Sequence, residues 1–164
     1  IKVTHKGNKT ELKGYNSDVI GFTQSIEPLL ERYHKKALVL GTGGASKAII
    51  FSLKSLGIET LTVSRYERHG CVRYEDITPE MIKEYNVIVN CTPCGMYPQT
   101  DDCPNLPYEA MDSHTLLYDL IYNPDETLFL KKGKAQGATV KNGLEMLLLQ
   151  AFASWNFWNS DADK

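Results

Sequence analysis

A chain of 164 residues, 42% hydrophobic and 23% charged, has the composition of one globular domain rather than of a disordered segment. Its formal charge of −2 excludes the basic footprint of a nucleic-acid binder, and no apolar run approaches the ~18–20 residues that span a bilayer. The first residues, Ile1 to Lys6, do not read as a secretory signal, and four cysteines in this length do not make a disulfide scaffold, so a cytoplasmic setting is expected.

Residues 1–14, with Gly7, Gly14 and several lysines, read as a turn-rich opening. Ser17 offers a helix cap before Val19, Ile20, Phe22, Ile26, Leu29 and Leu30, which recur at helical spacing. Ala37–Leu40 is a short apolar run, expected to be a buried strand; Gly41 to Ser46 interrupts it, and Ala48, Ile49, Ile50, Leu53 and Leu56 continue as a helix stopped at Gly57. Leu61–Val63 reads as a second strand. Thr78-Pro79-Glu80 carries the cap, first-turn proline and acid of a short helix, and Val87–Val89 reads as a third strand. Residues 97–113, with three prolines, read as a surface loop. Leu116–Tyr118 is a fourth strand, a helix is expected from about Thr127 to Gln136, and Ala138–Val140 is a brief last strand. Asn142 and Glu145 match a capping box ahead of a strongly apolar helix reaching about Trp158. Continuous apolar strands alternating with helices imply a parallel sheet covered on both faces. The expected fold is a doubly wound, Rossmann-like, three-layer α/β/α domain.

The segment Leu40-Gly41-Thr42-Gly43-Gly44-Ala45-Ser46 lies between an expected strand and an expected helix, the context a dinucleotide fingerprint requires. Gly41 permits the tight turn, and Gly43 lets the backbone approach a pyrophosphate. The free N–H groups of the following helix face that anion. At the tip of the second strand, where an acid would read an unphosphorylated ribose, stand Ser64-Arg65-Tyr66, with Arg68 and His69 beyond. A guanidinium there suits a 2′-phosphate and favours NADP over NAD.

These segments, with several others in the right order, resemble the cofactor-binding part of the shikimate dehydrogenase family. Gly14-Tyr15-Asn16-Ser17-Asp18 is similar to that family's G-x-N-T-D segment, with Ser17 in place of Thr. Asn90-Cys91-Thr92-Pro93-Cys94-Gly95-Met96 is similar to its N-x-T-x-x-G-M turn, and Asp119 to Pro124 to its D-x-x-Y-x-P. Asn142 to Leu147 with Gln150 resembles its last helix. At the second strand tip only Arg65 of N-R-T is retained.

The resemblance implies an NADP-dependent enzyme that reversibly reduces 3-dehydroshikimate to shikimate, a small-molecule substrate on the route to chorismate and the aromatic amino acids. By the same resemblance Asp18 is half of a catalytic Lys–Asp pair, and Tyr122 and Gln150 join it in binding substrate. Gly41, Thr42, Gly43, Gly44 and Ala45 hold the pyrophosphate. Ser64, Arg65 and Arg68 take the adenosine phosphate, Thr92 and Met96 line the cofactor cleft, and Leu120 and Gly143 meet the nicotinamide side. The family's catalytic Lys, and the Ser and Asn that grip substrate carboxylate, belong to an N-terminal substrate domain, and no Lys of residues 1–13 stands in that context. Residues 1–164 are therefore expected to be the NADP-binding domain without that N-terminal domain, flanked by hinge helices at 15–33 and 142–158. This chain alone is expected to bind cofactor without turnover. The alternatives are a non-catalytic nucleotide-binding module, separable because it needs only the glycine turn and Arg65, and an NAD-dependent quinate or shikimate dehydrogenase.

Two further expectations concern surfaces and metals. Cys91-Thr92-Pro93-Cys94 has redox spacing but lacks the second pair a structural zinc requires, so no metal site is expected. The last helix is apolar around most of its circumference, and such a helix must be covered on every side or offer a surface for self-association into a homo-oligomer.

Overall fold

The computed structural model describes residues 1–159. It opens with an antiparallel hairpin, β1 (Lys2–Lys6) and β2 (Lys9–Lys13), followed by helix α1 (Ser17–Ile26). Then come β3 (Lys36–Leu40), α2 (Gly44–Ser55), β4 (Glu59–Ser64), β5 (Cys71–Arg73), α3 (Pro79–Glu84) and β6 (Val87–Asn90). The chain continues through β7 (Leu116–Asp119), α4 (Leu128–Ala135), β8 (Thr139–Lys141) and α5 (Leu144–Asn159).

Strands β3 to β8 form one parallel sheet in the order β5-β4-β3-β6-β7-β8. Connections run outward from β3 in one direction and from β6 in the other, so the chain reverses between these neighbours. At such a switch point a crevice opens beyond the carboxyl ends of the strands.

Alternate strand residues serve opposite faces, because successive side chains of a strand point to opposite sides. Leu38 and Leu40 join Ile88, Leu117, Ile82 and Phe129 in one core, and Ala37 and Val39 join Val89, Tyr118, Phe22, Ile49 and Met146 in the other. All four residues of β6 and of β7 are buried, which explains their unbroken apolar character up to Asn90 and Asp119. The layered Rossmann-like fold expected from the alternation is the one observed.

The helix signals hold at most boundaries. Thr78 caps α3, with Pro79 at its first position, and the Thr127 hydroxyl accepts from the Leu130 N–H at the head of α4. Three expectations change. Residues 1–14 are not merely turns: Gly7-Asn8 is a two-residue hairpin loop, with Gly7 at φ +61°. The helix expected over 15–33 is capped by Asn16, not Ser17, and ends at Ile26, where Pro28 turns the chain into a single 3-10 turn because proline has no N–H to continue the ladder. The capping box at Asn142 is half made. Its Oδ1 accepts from the Leu144 N–H at 3.2 Å, but the Glu145 carboxylate pairs with the Lys141 ammonium. Strand β5, short and on the sheet edge, is absent from the elements expected of the sequence. Among the described residues no helix is long and apolar enough to cross a membrane.

Helices α1 and α5 pack against one another, and Gly21 sets their approach. A Cβ there would stand 2.7 Å from Met146 O and 3.0 Å from Gln150 N, both backbone atoms that cannot rotate away. Gly21→Ala is expected to destabilise the chain by about 1–3 kcal/mol, since a methyl group must force two helices apart. Urea unfolding with an unchanged midpoint would show that the helices do not rest on this contact.

Candidate functional site

The crevice is built from five strand ends and the helices that leave them. At the end of β3, Gly41 adopts φ +105°, a left-handed conformation that favours glycine. Its N–H donates to Val63 O at 2.9 Å, and a Cβ at this position would meet the Thr92 methyl at 2.9 Å and Cys91 O at 3.3 Å. The turn is thus pressed against the neighbouring strand end. A Cβ at Gly43 or Gly44, by contrast, would meet nothing within 4 Å. Gly43 is the N-cap of α2, and no side chain caps the helix; the Ser46 hydroxyl, one turn in, donates to Gly43 O at 2.7 Å and is buried. Gly43, Gly44 and Ala45 are exposed, with Gly41 and Thr42 half-buried behind them. The first-turn N–H groups of α2 have no intrahelical acceptors and carry the positive end of the helix dipole. This is an anion seat made of backbone.

At the tip of β4 the residues divide. Ser64 is buried, and its hydroxyl accepts from the Tyr66 N–H at 3.2 Å, so it shapes the turn. Arg65 and Arg68 are exposed, and neither has a carboxylate partner among the described residues. The Arg65 guanidinium lies over the Tyr66 ring, 5.8 Å from its centroid. Two cations therefore stand beside the anion seat.

Between β6 and β7 stand Asn90 and Asp119, the heads of two segments singled out by resemblance but given no role by the sequence reading. Asn90 and Asp119, the last residues of these strands, are both fully buried. Asn90 Nδ2 donates to Asp119 Oδ1 at 3.0 Å, while Asn90 Oδ1 accepts from the Thr92 N–H at 3.0 Å and the Thr92 hydroxyl at 2.7 Å. Asp119 Oδ1 also accepts from the Ile121 N–H at 3.1 Å, and Oδ2 accepts from the Thr127 hydroxyl at 2.6 Å. The hydroxyl of Thr92, which also accepts from the Cys94 N–H, is wholly engaged within the turn; what Thr92 offers its surroundings is the methyl beneath Gly41. Nothing local in the sequence marks the Asn90–Asp119 pair, because the partners are 29 positions apart and meet only through strand pairing.

Leu120 and Gly143 are brought together. Gly143 N–H donates to Ile121 O at 3.0 Å, and a Cβ on Gly143 would fall 2.1 Å from Leu120 O, so only glycine fits where β8 turns into α5. Tyr122, 51% exposed, follows directly on this contact. Asp18 lies in the first turn of α1, and Gln150 stands on α5 across Gly21 from it. Both are half-buried, and among the described residues neither the Asp18 carboxylate nor the Gln150 amide has a hydrogen-bond or ion-pair partner. Polar groups so placed retain capacity for a ligand.

The cysteines are free thiols, and burial pushes both Cys91 and Cys94 up, away from the thiolate that redox chemistry uses. Among the described residues no three His, Cys, Asp or Glu side chains converge to hold a metal ion. A separate cavity of about 240 Å³, near Tyr33, Asn86 and His114, contains none of the crevice residues.

Burial raises the Asp119 carboxyl to about 6 despite bonds from Thr127, Ile121 and Asn90 that favour the anion. The native state thus binds this proton more tightly than the unfolded chain, and stability falls as pH rises from about 4 to about 6. Relative to Asp119→Asn, the wild-type chain is expected to lose about 2–3 kcal/mol across that window, read by chemical denaturation at each pH. Parallel pH profiles for the two proteins would remove the assignment.

No family model matches the chain. It is 36% identical to the shikimate dehydrogenase (NADP(+)) of Caldanaerobacter subterraneus subsp. tengcongensis over 92% of its own length and 59% of that protein's. It superposes with TM-score 0.76 on a chorismate mutase/shikimate 5-dehydrogenase fusion protein from Clostridium acetobutylicum, at 34% identity, covering 96% of this chain and 58% of that one. The shikimate 5-dehydrogenase of Thermus thermophilus, solved in complex with NADP(H) and shikimate, gives 0.78 at 28% identity, covering 96% and 60%. The chain spans about three fifths of the length of these relatives. Over that span the chain is similar in sequence and in its parallel-sheet fold to shikimate dehydrogenases.

Proposed function

We propose that residues 1–164 are the NADP-binding domain of a shikimate dehydrogenase, which reversibly reduces 3-dehydroshikimate to shikimate, with α1 and α5 as the helices that hinge to a substrate domain. The observation that carries this reading is the backbone anion seat at Gly43 and Gly44 beside the unpaired Arg65 and Arg68. Open space where side chains would stand, in front of an uncapped helix, suits a pyrophosphate. Two cations at the β4 tip suit a 2′-phosphate, which NAD lacks.

When bound, the nicotinamide cofactor supplies or accepts the hydride. The chain's residues position and bind. Gly41, Thr42, Gly43, Gly44 and Ala45 form the pyrophosphate seat, Ser64 shapes the turn that presents Arg65 and Arg68, and Thr92 supports Gly41 from below. Leu120 and Gly143 form the wall on the nicotinamide side. Tyr122 and Gln150 offer a hydroxyl and an amide to the hydroxyls of the substrate. A ketone accepting hydride develops negative charge on its oxygen, and an ammonium both stabilises that charge and delivers the proton. Asp18 holds such an ammonium in place, the family resemblance assigning the lysine to the substrate domain. On this reading the setting is cytoplasmic, where the thiols stay reduced, and the 164-residue chain binds NADPH without oxidising shikimate.

Arg65→Ala is expected to weaken NADPH binding by about 10–100-fold, the loss of one or two charge-assisted bonds, and to leave NADH binding almost unchanged. Titration of both cofactors against both proteins decides it, and equal losses would remove the 2′-phosphate assignment.

Self-association belongs to the same reading. Leu144, Leu148, Phe152, Trp155 and Trp158 are 44–65% exposed along one side of α5. An apolar stripe of this size favours association. Sedimentation velocity is expected to show a concentration-dependent dimer or larger species; a monomer at high concentration would rule it out.

A further inference from the structure

We propose that Asp119 is the positioning residue for the nicotinamide end of the crevice, acting through the backbone from Leu120 to Tyr122 against which Gly143 is seated. The inference rests on the cofactor-binding reading above and goes beyond it by separating the two ends of the site. The other three residues of β7, Leu116, Leu117 and Tyr118, are fully buried and serve packing alone or with one hydroxyl bond. A carboxylate in the same environment is costly unless its bonds are needed. Its bonds reach three segments at once: the turn after β6 through Asn90, the head of α4 through Thr127, and its own following loop through the Ile121 N–H.

The third bond matters most to the cofactor. It closes the corner at Leu120, whose carbonyl lies so near Gly143 that no side chain fits between them. Ile121 O in turn accepts the Gly143 N–H, and Leu147 N–H then donates to Gly143 O in the first turn of α5. Remove the carboxylate and the Leu120 N–H keeps its bond to Asn90 O at 3.1 Å, but the Ile121 N–H, next to the carbonyl that seats Gly143 and to Tyr122, loses its acceptor. The glycine turn does not depend on Asp119 in this way. Gly41 N–H is held by Val63 O, and Asn90 keeps bonds to Cys94 O and to Thr92 when Asp119 is gone. Loss of Asp119 should therefore spare the adenosine half of the site and damage the nicotinamide half.

The experiment compares NADPH with adenosine 2′,5′-bisphosphate, a probe that lacks the nicotinamide half, on the 164-residue chain. Asp119→Ala is expected to lower NADPH affinity about tenfold, the worth of one hydrogen bond to a charged group, while the bisphosphate binds within about twofold of wild type. Asp119→Asn retains an oxygen for the Ile121 N–H and is expected to restore NADPH binding to within about threefold. Arg65→Ala should instead weaken both ligands alike, by about 10–100-fold, since both carry the 2′-phosphate. Equal losses of both ligands in Asp119→Ala, or none, would overturn the inference and leave the cofactor reading standing. Failure of the wild-type chain to bind either ligand would overturn both.

A second measurement needs no variant. The Ile121 amide resonance reports ionisation of Asp119 in the wild-type chain. The other titratable groups facing Asp119 are Cys91, Cys94 and Tyr108, and burial pushes each upward, so they do not titrate near 6. NADPH is expected to displace the Ile121 midpoint and the bisphosphate to leave it in place. An unmoved midpoint with NADPH bound would overturn the inference even where Asp119→Ala does not fold.

Discussion

The site depends on backbones that come too close for a side chain. Gly41 lies on Thr92 and Cys91, Gly143 on Leu120, and Gly21 on Met146 and Gln150. The first contact brings the end of β3 against the end of β6, at the point where the sheet order reverses. The second brings the start of α5 against the end of β7. The third fixes α5 on α1. Together they tie three helices to two strand ends, so the N-terminus of α2, the loop after β7 and the faces of α1 and α5 open on the same side of the sheet. A methyl group at any of the three would need backbone movement, because the opposing atoms are mostly carbonyls and amides.

Much of this architecture was legible because it rests on local chemistry. Four apolar runs announced β3, β4, β6 and β7, since a strand covered on both faces has no polar side to interrupt it. Thr78, Thr127 and Asn142 announced helix starts because each carries an oxygen that can accept from a free N–H. What escaped was non-local or weakly patterned. The hairpin of β1 and β2 is mostly exposed, so its alternation is diluted by lysines, although Gly7-Asn8 between Val3, His5 and Thr10, Leu12 was a usable hairpin signal. Strand β5 is three residues long on a sheet edge, too short to show a period.

The candidate site divides along the same line. The glycine turn and the β4 tip are each one short stretch of sequence, and the role proposed for each was suggested by that stretch alone. The Asn90–Asp119–Thr127 network is not. Each of its members has an ordinary local reading as a strand-end polar residue or a helix cap. Only the register that places Asn90 beside Asp119 turns them into one buried unit. Thr92 shows the same limit in reverse: the sequence indicated a residue of the cleft, and the structure shows that its methyl and not its hydroxyl faces the glycine turn.

The two sides of the crevice differ in physical kind. On the proposed reading dinucleotide recognition is carried by main-chain N–H groups and helix orientation, which a single sheet can supply once its strands are in register. On that same reading substrate recognition is carried by side chains, the Asp18 carboxylate, the Gln150 amide and the Tyr122 hydroxyl, drawn from α1, α5 and the β7 loop. These groups are half-buried or exposed and have unspent hydrogen-bonding capacity. Asp18 and Gln150 stand on the two helices whose mutual contact is set by Gly21, while α5 also presents Leu148, Phe152 and Trp155 to solvent. Polar groups that still need partners and an apolar face that still needs cover thus occur on the same pair of helices.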